Sequence, residues 1–63
     1  MRTKIVKVGE YEVRWHEQED APGMFLGLVL DAAKMCIGGA EALIEESGTS
    51  EGISAMLVRH CLD

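Results

Sequence analysis

The sequence predicts a small α+β domain: a two-stranded antiparallel hairpin, then one long and one short helix, completed by dimerisation. Three observations carry this expectation. Residues 4–15 alternate apolar and polar on either side of a Gly-Glu pair, residues 24–44 are rich in apolar side chains with polar ones at helical spacing, and a second helical pattern follows Thr49-Ser50.

The hairpin is the best-determined element. Gly9-Glu10 at the tip suits a two-residue type II′ turn, with Gly at the first central position. Val8 then faces Tyr11, Lys7 faces Glu12, Val6 faces Val13 and Ile5 faces Arg14. Opposed residues share a face. Val6, Val8, Tyr11, Val13 and Trp15 fall on one side, and Lys7, Glu12, Arg14 and Ile5 fall on the other, so the ribbon needs a cover over its apolar side.

Glu17 to Asp20 reads as a charged connector, and Asp20-Ala-Pro22 as the start of helix 1. That helix is expected to run to about Ser47 and to stop at Gly48. At about 100° per residue, Gly27, Asp31, Lys34, Gly38, Glu41 and Glu45 form one narrow stripe, which leaves an apolar arc of roughly 240°. Phe25, Val29, Ala32, Cys36, Ala40 and Leu43 are its centre. A ribbon and a short helix cover only part of so wide an arc, and the flank formed by Leu26, Leu30, Ala33, Ile37 and Ile44 is the expected dimer interface. Gly38-Gly39 conflicts with this expectation, because each Gly in a helix interior costs about 1 kcal/mol relative to Ala. A close backbone approach or a kink is the expected reason. In the second helix Glu51 lies in the first turn, and Ile53, Met56, Leu57 and Cys61 follow helical spacing.

A chain of 63 residues is one domain, and a domain of that size buries only about 60% of its unfolded surface. The apolar share of 48% is therefore more than it can cover alone, which again favours a second copy. Charge is unevenly spread. Residues 1–16 hold Arg2, Lys4, Lys7 and Arg14 against Glu10 and Glu12, whereas the rest holds only Lys34 and Arg59 against nine carboxylates, for a net charge of −5. This balance disfavours direct nucleic-acid binding. The amino terminus reads as strand with no signal-peptide pattern, and Asp31, Lys34 and Glu41 interrupt the apolar stretch, so a membrane span is not expected and the cytoplasm is.

His16, Cys36, His60 and Cys61 equal in number the ligands of a structural zinc site, but no Cys-x-x-Cys or His-x-x-x-His pair is present, and the neighbours His60 and Cys61 point about 100° apart on a helix. Cys36 and Cys61 are expected as buried thiols, and His16 and His60 as surface or boundary residues. The chain also lacks a phosphate-cradling Gly loop, a Gly-x-Ser-x-Gly elbow and a dinucleotide fingerprint. No catalytic, cofactor-binding or metal-binding residues are expected.

Glu41, Glu45, Glu46 and Glu51 crowd the end expected for helix 1, where carboxylates oppose the helix dipole. They are either a solubilising face or, with Trp15 as an anchor, the surface that meets a basic partner. The function expected is a non-enzymatic, dimeric interaction protein that binds and regulates or inhibits another protein, one that handles nucleic acid being a candidate. Small acidic phage and mobile-element inhibitors offer an analogy of size and charge. The alternatives are an accessory subunit of a larger complex and a nucleic-acid-binding regulator that uses the basic hairpin.

Overall fold

The computed structural model describes residues 2–44 and 47–63. The hairpin forms in the expected register, as β1 (Thr3–Val8) and β2 (Tyr11–Gln18), with Val8 opposite Tyr11, Lys7 opposite Glu12 and Val6 opposite Val13. Gly9 takes a φ of 61° and Glu10 does not share that sign, as a type II′ turn requires.

The next segment corrects the expectation. Residues 21–44 are not a helix but a second hairpin, β3 (Ala21–Leu30) and β4 (Cys36–Leu43), and the four strands form one antiparallel sheet in the order β1-β2-β3-β4. A single helix, α1 (Ser47–Leu62), follows. Gly48 lies inside that helix instead of ending an earlier one, and the second predicted helix exists but begins before Thr49-Ser50. The run Met24-Phe-Leu-Gly-Leu-Val-Leu30 is a central strand with neighbours on both sides, where both faces can carry apolar residues and alternation disappears.

The turn between β3 and β4 explains the misleading polar spacing. Asp31 Oδ1 accepts bonds from the N–H groups of Ala33 and Met35, at 2.9 and 3.0 Å, and Lys34 adopts a left-handed φ of 65°. Asp31 and Lys34 are thus turn residues, not one face of a helix. A bulge between Val29 and Leu30 shifts the register beside this turn.

The core lies between one face of the sheet and α1. Val13, Trp15, Phe25, Val29, Ile44 and Val58 are buried there, ringed by Val6, Val8, Ile53, Leu57 and Cys61. Ser50, Ile53, Ser54, Leu57, Val58 and Cys61 form the inward stripe of the helix at three- and four-residue spacing, while Met56 points outward. Trp15 stands opposite Gly27, and a Cβ on Gly27 would collide with the indole. On β4 a Cβ at Gly38 would come within 2.5 Å of Cys61 Sγ. Gly27 thus gives the sheet its close contact with Trp15, and Gly38, one of the pair that looked costly in a helix, its close contact with α1.

Candidate protein interaction surfaces

The sheet has two faces and only one of them is covered by α1 among the described residues. Strand alternation and the pairing place Ile5, Arg14, Leu28 and Gly39 in one row of the open face, and His16, Leu26 and Glu41 in the next. Met24 and Leu43 continue it at the end near the β2–β3 turn. Ile5 is 61% exposed, Leu43 60% and Leu26 41%. Open faces of antiparallel sheets are ordinarily polar, so an apolar strip of this kind is the feature that asks for a partner.

One end of that face holds a compact ion cluster. Glu12, only 5% exposed, takes Arg14 Nε at 2.6 Å, Lys7 Nζ at 3.0 Å and Lys34 Nζ at 3.0 Å. Hydrogen bonds from Arg14, Lys7 and Lys34 hold its carboxyl at about 2, well below the usual range. Such a carboxylate is a poor proton acceptor at neutral pH, and its role is to gather three cations. A second pair ties the start of the chain to the sheet. Arg2 donates to both oxygens of Glu17, at 3.2 and 2.7 Å, and its guanidinium lies 5.5 Å from the centre of the Phe25 ring. The bond from Arg2 and another from the Gly23 N–H hold Glu17 at about 2 as well.

A groove of about 310 Å³ runs along the other border of the molecule, between α1 and β4. It is lined by Trp15, Ala40, Glu41, Ala42, Ile53, Met56, Leu57 and His60. Ala40 and Ala42 are too small to fill the space under the helix, which leaves it apolar and open along the edge strand. A more polar hollow of about 300 Å³ lies at the β2–β3 turn, against Glu17, Gln18, Glu19 and Pro22.

The residues expected to bind a partner do not form one surface. Trp15 is 0% exposed, with its indole bonded to Ser54, so it is a core residue. Glu41 is exposed on β4 and accepts a bond from Gln18 Nε2, whereas Glu51 is exposed on α1. Glu45 and Glu46 lie outside the described residues. The expected interface flank is also dispersed, because it assumed a helix. Leu26 and Leu30 share the open face of β3, although Leu30 is nearly buried there. Ala33 is in the β3–β4 turn, Ile37 sits beside the bulge, and Ile44 belongs to the core under α1. Cys36 is exposed and not a buried thiol, while Cys61 is half-buried beneath Gly38. His16 and His60 are exposed. Among the described residues, no three His, Cys, Asp or Glu side chains converge as metal ligands.

Sequence reasoning missed the approach of Lys34 to Glu12, the bond between Trp15 and Ser54, and the edge of β4. A signal for the first two strands beyond the hairpin was present in Gly38-Gly39, which opposes a helix, and in Asp31, which favours a turn. The architecture is that of a four-stranded antiparallel meander covered on one face by a carboxy-terminal helix. Comparison with family models, curated proteins and solved structures finds no match.

Proposed function

We propose that this chain is a non-catalytic interaction protein that pairs with a second copy through the open face of its sheet and, as that dimer, binds and regulates another protein in the cytoplasm. The observation that carries the proposal is the apolar strip of Met24, Leu26, Leu28 and Leu43 on β3 and β4, with Ile5 exposed beyond Arg14 on β1, on a face with nothing over it among the described residues. The free thiols of Cys36 and Cys61 suit a reducing compartment. No helix among the described residues is long and apolar enough to cross a membrane.

Area and charge favour a second copy as the cover. The two longest dimensions of the molecule are 29 and 20 Å. A face of that extent contributes on the order of 600 Å², so two copies bury roughly 1,200 Å², above the ~1,000 Å² that a specific interface needs. The charge on the face is polar along the strands. Lys7, Arg14 and Lys34 offset Glu10, Glu12 and Asp31 at one end, and Glu41 lies toward the other, near Glu19 and Asp20 of the β2–β3 turn, so the second end is the more acidic. A two-fold axis running across the strands stacks the end that carries Lys7, Arg14 and Lys34 in each copy on the acidic end of its partner. An axis along the strands instead stacks like ends. The crosswise axis gives an aligned two-sheet sandwich with both helices outside.

Light scattering or sedimentation tests this directly. A dimer in the micromolar range that Leu26→Asp converts to a folded monomer is the expected result, and a wild-type monomer throughout that range refutes the proposal.

A further inference from the structure

Among the described residues the edge of β4 is the second surface without a neighbour, and the ladder shows how it is presented. Ile44 N–H donates to Gly23 O at 3.1 Å, and Met24 stands opposite Leu43, so Gly23 and Ile44 are a hydrogen-bonded pair. Bonded and non-bonded pairs alternate along an antiparallel ladder. Ala42, Ala40 and Gly38 therefore bond inward to β3, and Leu43, Glu41 and Gly39 turn their N–H and C=O groups outward.

The two border strands differ in protection. β1 carries Lys4 and Lys7, charges of the kind that discourage strand addition, whereas β4 reads Cys-Ile-Gly-Gly-Ala-Glu-Ala-Leu with Glu41 as its single charge. Side chains along β4 also divide in a specific way. Ala40 and Ala42 face the apolar groove beneath Met56 and His60, and Glu41 faces the opposite side of the sheet.

We infer that β4 takes up an extended segment of a protein partner as a fifth strand, and that this segment alternates apolar and basic residues. The inference names the partner chemistry for the proposed regulatory function and rests on that reading. Main-chain bonds form with the outward groups of Gly39, Glu41 and Leu43. Partner residues opposite Ala40 and Ala42 then enter the groove of about 310 Å³, where only apolar side chains match Ile53, Met56 and Leu57. The residue opposite Glu41 lies on the other side, where a Lys or Arg makes a cross-strand pair with the carboxylate. An acidic residue there is repelled.

The test uses a blocked heptapeptide, Lys-Val-Lys-Val-Lys-Val-Lys, titrated into the full chain and followed by amide shifts and hydrogen exchange. Shifts and slowed exchange at Gly39, Glu41 and Leu43 are expected. Glu41→Gln should weaken binding about two- to fivefold, the range of one cross-strand charge pair. Glu41→Pro removes an outward N–H, leaves the inward ladder intact and should abolish binding without loss of the fold. Met56→Asp, at a position 73% exposed on the helix, provides an independent variant that should also abolish it. Three results overturn the inference: no shift at these amides, equal binding of the peptide with Glu in place of Lys, or the same shifts on concentrating the protein alone and their loss in Glu41→Pro, which assigns the edge to a second copy. Light scattering in the same samples separates the two proposals, since Leu26→Asp addresses the open face and Met56→Asp the groove on the helix side of the sheet.

Discussion

The indole N–H of Trp15 donates to Ser54 Oγ at 2.7 Å, and that hydroxyl donates in turn to the carbonyl of Ser50 at 2.5 Å. All three residues are buried, so this chain of bonds satisfies the polar groups that the largest core side chain brings into the interior. It also fixes where α1 sits on the sheet, because the partners come from β2 and from the helix.

Removing the hydroxyl should therefore cost more than the size of Ser suggests. Ser54→Ala leaves a buried indole N–H unpaired and is expected to destabilise the fold by about 1–3 kcal/mol in urea unfolding. In a Trp15→Phe background the same change should cost less, since no indole N–H remains. The difference across that double-mutant cycle is the coupling. Equal costs in both backgrounds would show that the bond contributes nothing.

Two glycines should respond in opposite directions. Gly27→Ala places a Cβ against the rigid, buried indole of Trp15, and a loss of about 1–3 kcal/mol is expected. Gly52 lies in α1 with nothing near its missing Cβ, so Gly52→Ala should gain up to about 1 kcal/mol through helix propensity. Thermal or urea melts of the two variants decide this, and a helix at residues 24–44 would reverse the first sign.

Acid should weaken the protein in a defined window. The carboxyls of Glu12 and Glu17 have an ordinary value of 4.5 and are held at about 2 in the folded chain. A depressed folded value means that the unfolded chain binds more protons, so the stabilisation is complete above 4.5 and is lost as the pH falls toward 2. Melting temperature should drop across that interval. Glu12→Gln and Glu17→Gln should each lower stability at neutral pH and flatten the drop, and an unchanged pH profile in both would contradict the assignment.

The proposed dimer should be sensitive to salt. With Lys7, Arg14 and Lys34 of one face over the acidic end of the other, raising ionic strength from about 0.01 M to about 1 M, which shortens the screening length from about 30 Å to about 3 Å, should weaken association. Burial of Leu26 and Leu43 is unaffected by screening, so dimerisation should persist at high protein concentration. A dimer that tightens steadily with salt would favour the axis along the strands, which stacks like charges.

Local chemistry determined the first hairpin. Gly9 at the turn and the alternation from Val6 to Trp15 leave one register that gathers Val6, Val8, Tyr11, Val13 and Trp15 on one face, and a one-residue slip would invert every face. The carboxy-terminal helix was also legible, because Ile53, Leu57 and Cys61 recur at helical spacing and Arg59 and His60 suit its last turn. Residues 21–44 were decided by tertiary structure. A strand with neighbours on both sides is apolar on both faces, and its period of two vanishes from the sequence. Asp31, Lys34 and Glu41 happened to fall at helical intervals, although two of them serve a turn and the third lies on an edge strand. Only the assembled sheet shows that Gly27 makes room for Trp15 and Gly38 for Cys61, and that Lys34 reaches Glu12. These contacts join residues far apart in the chain, so no local pattern records them, and the open face and the β4 edge exist only once four strands lie side by side.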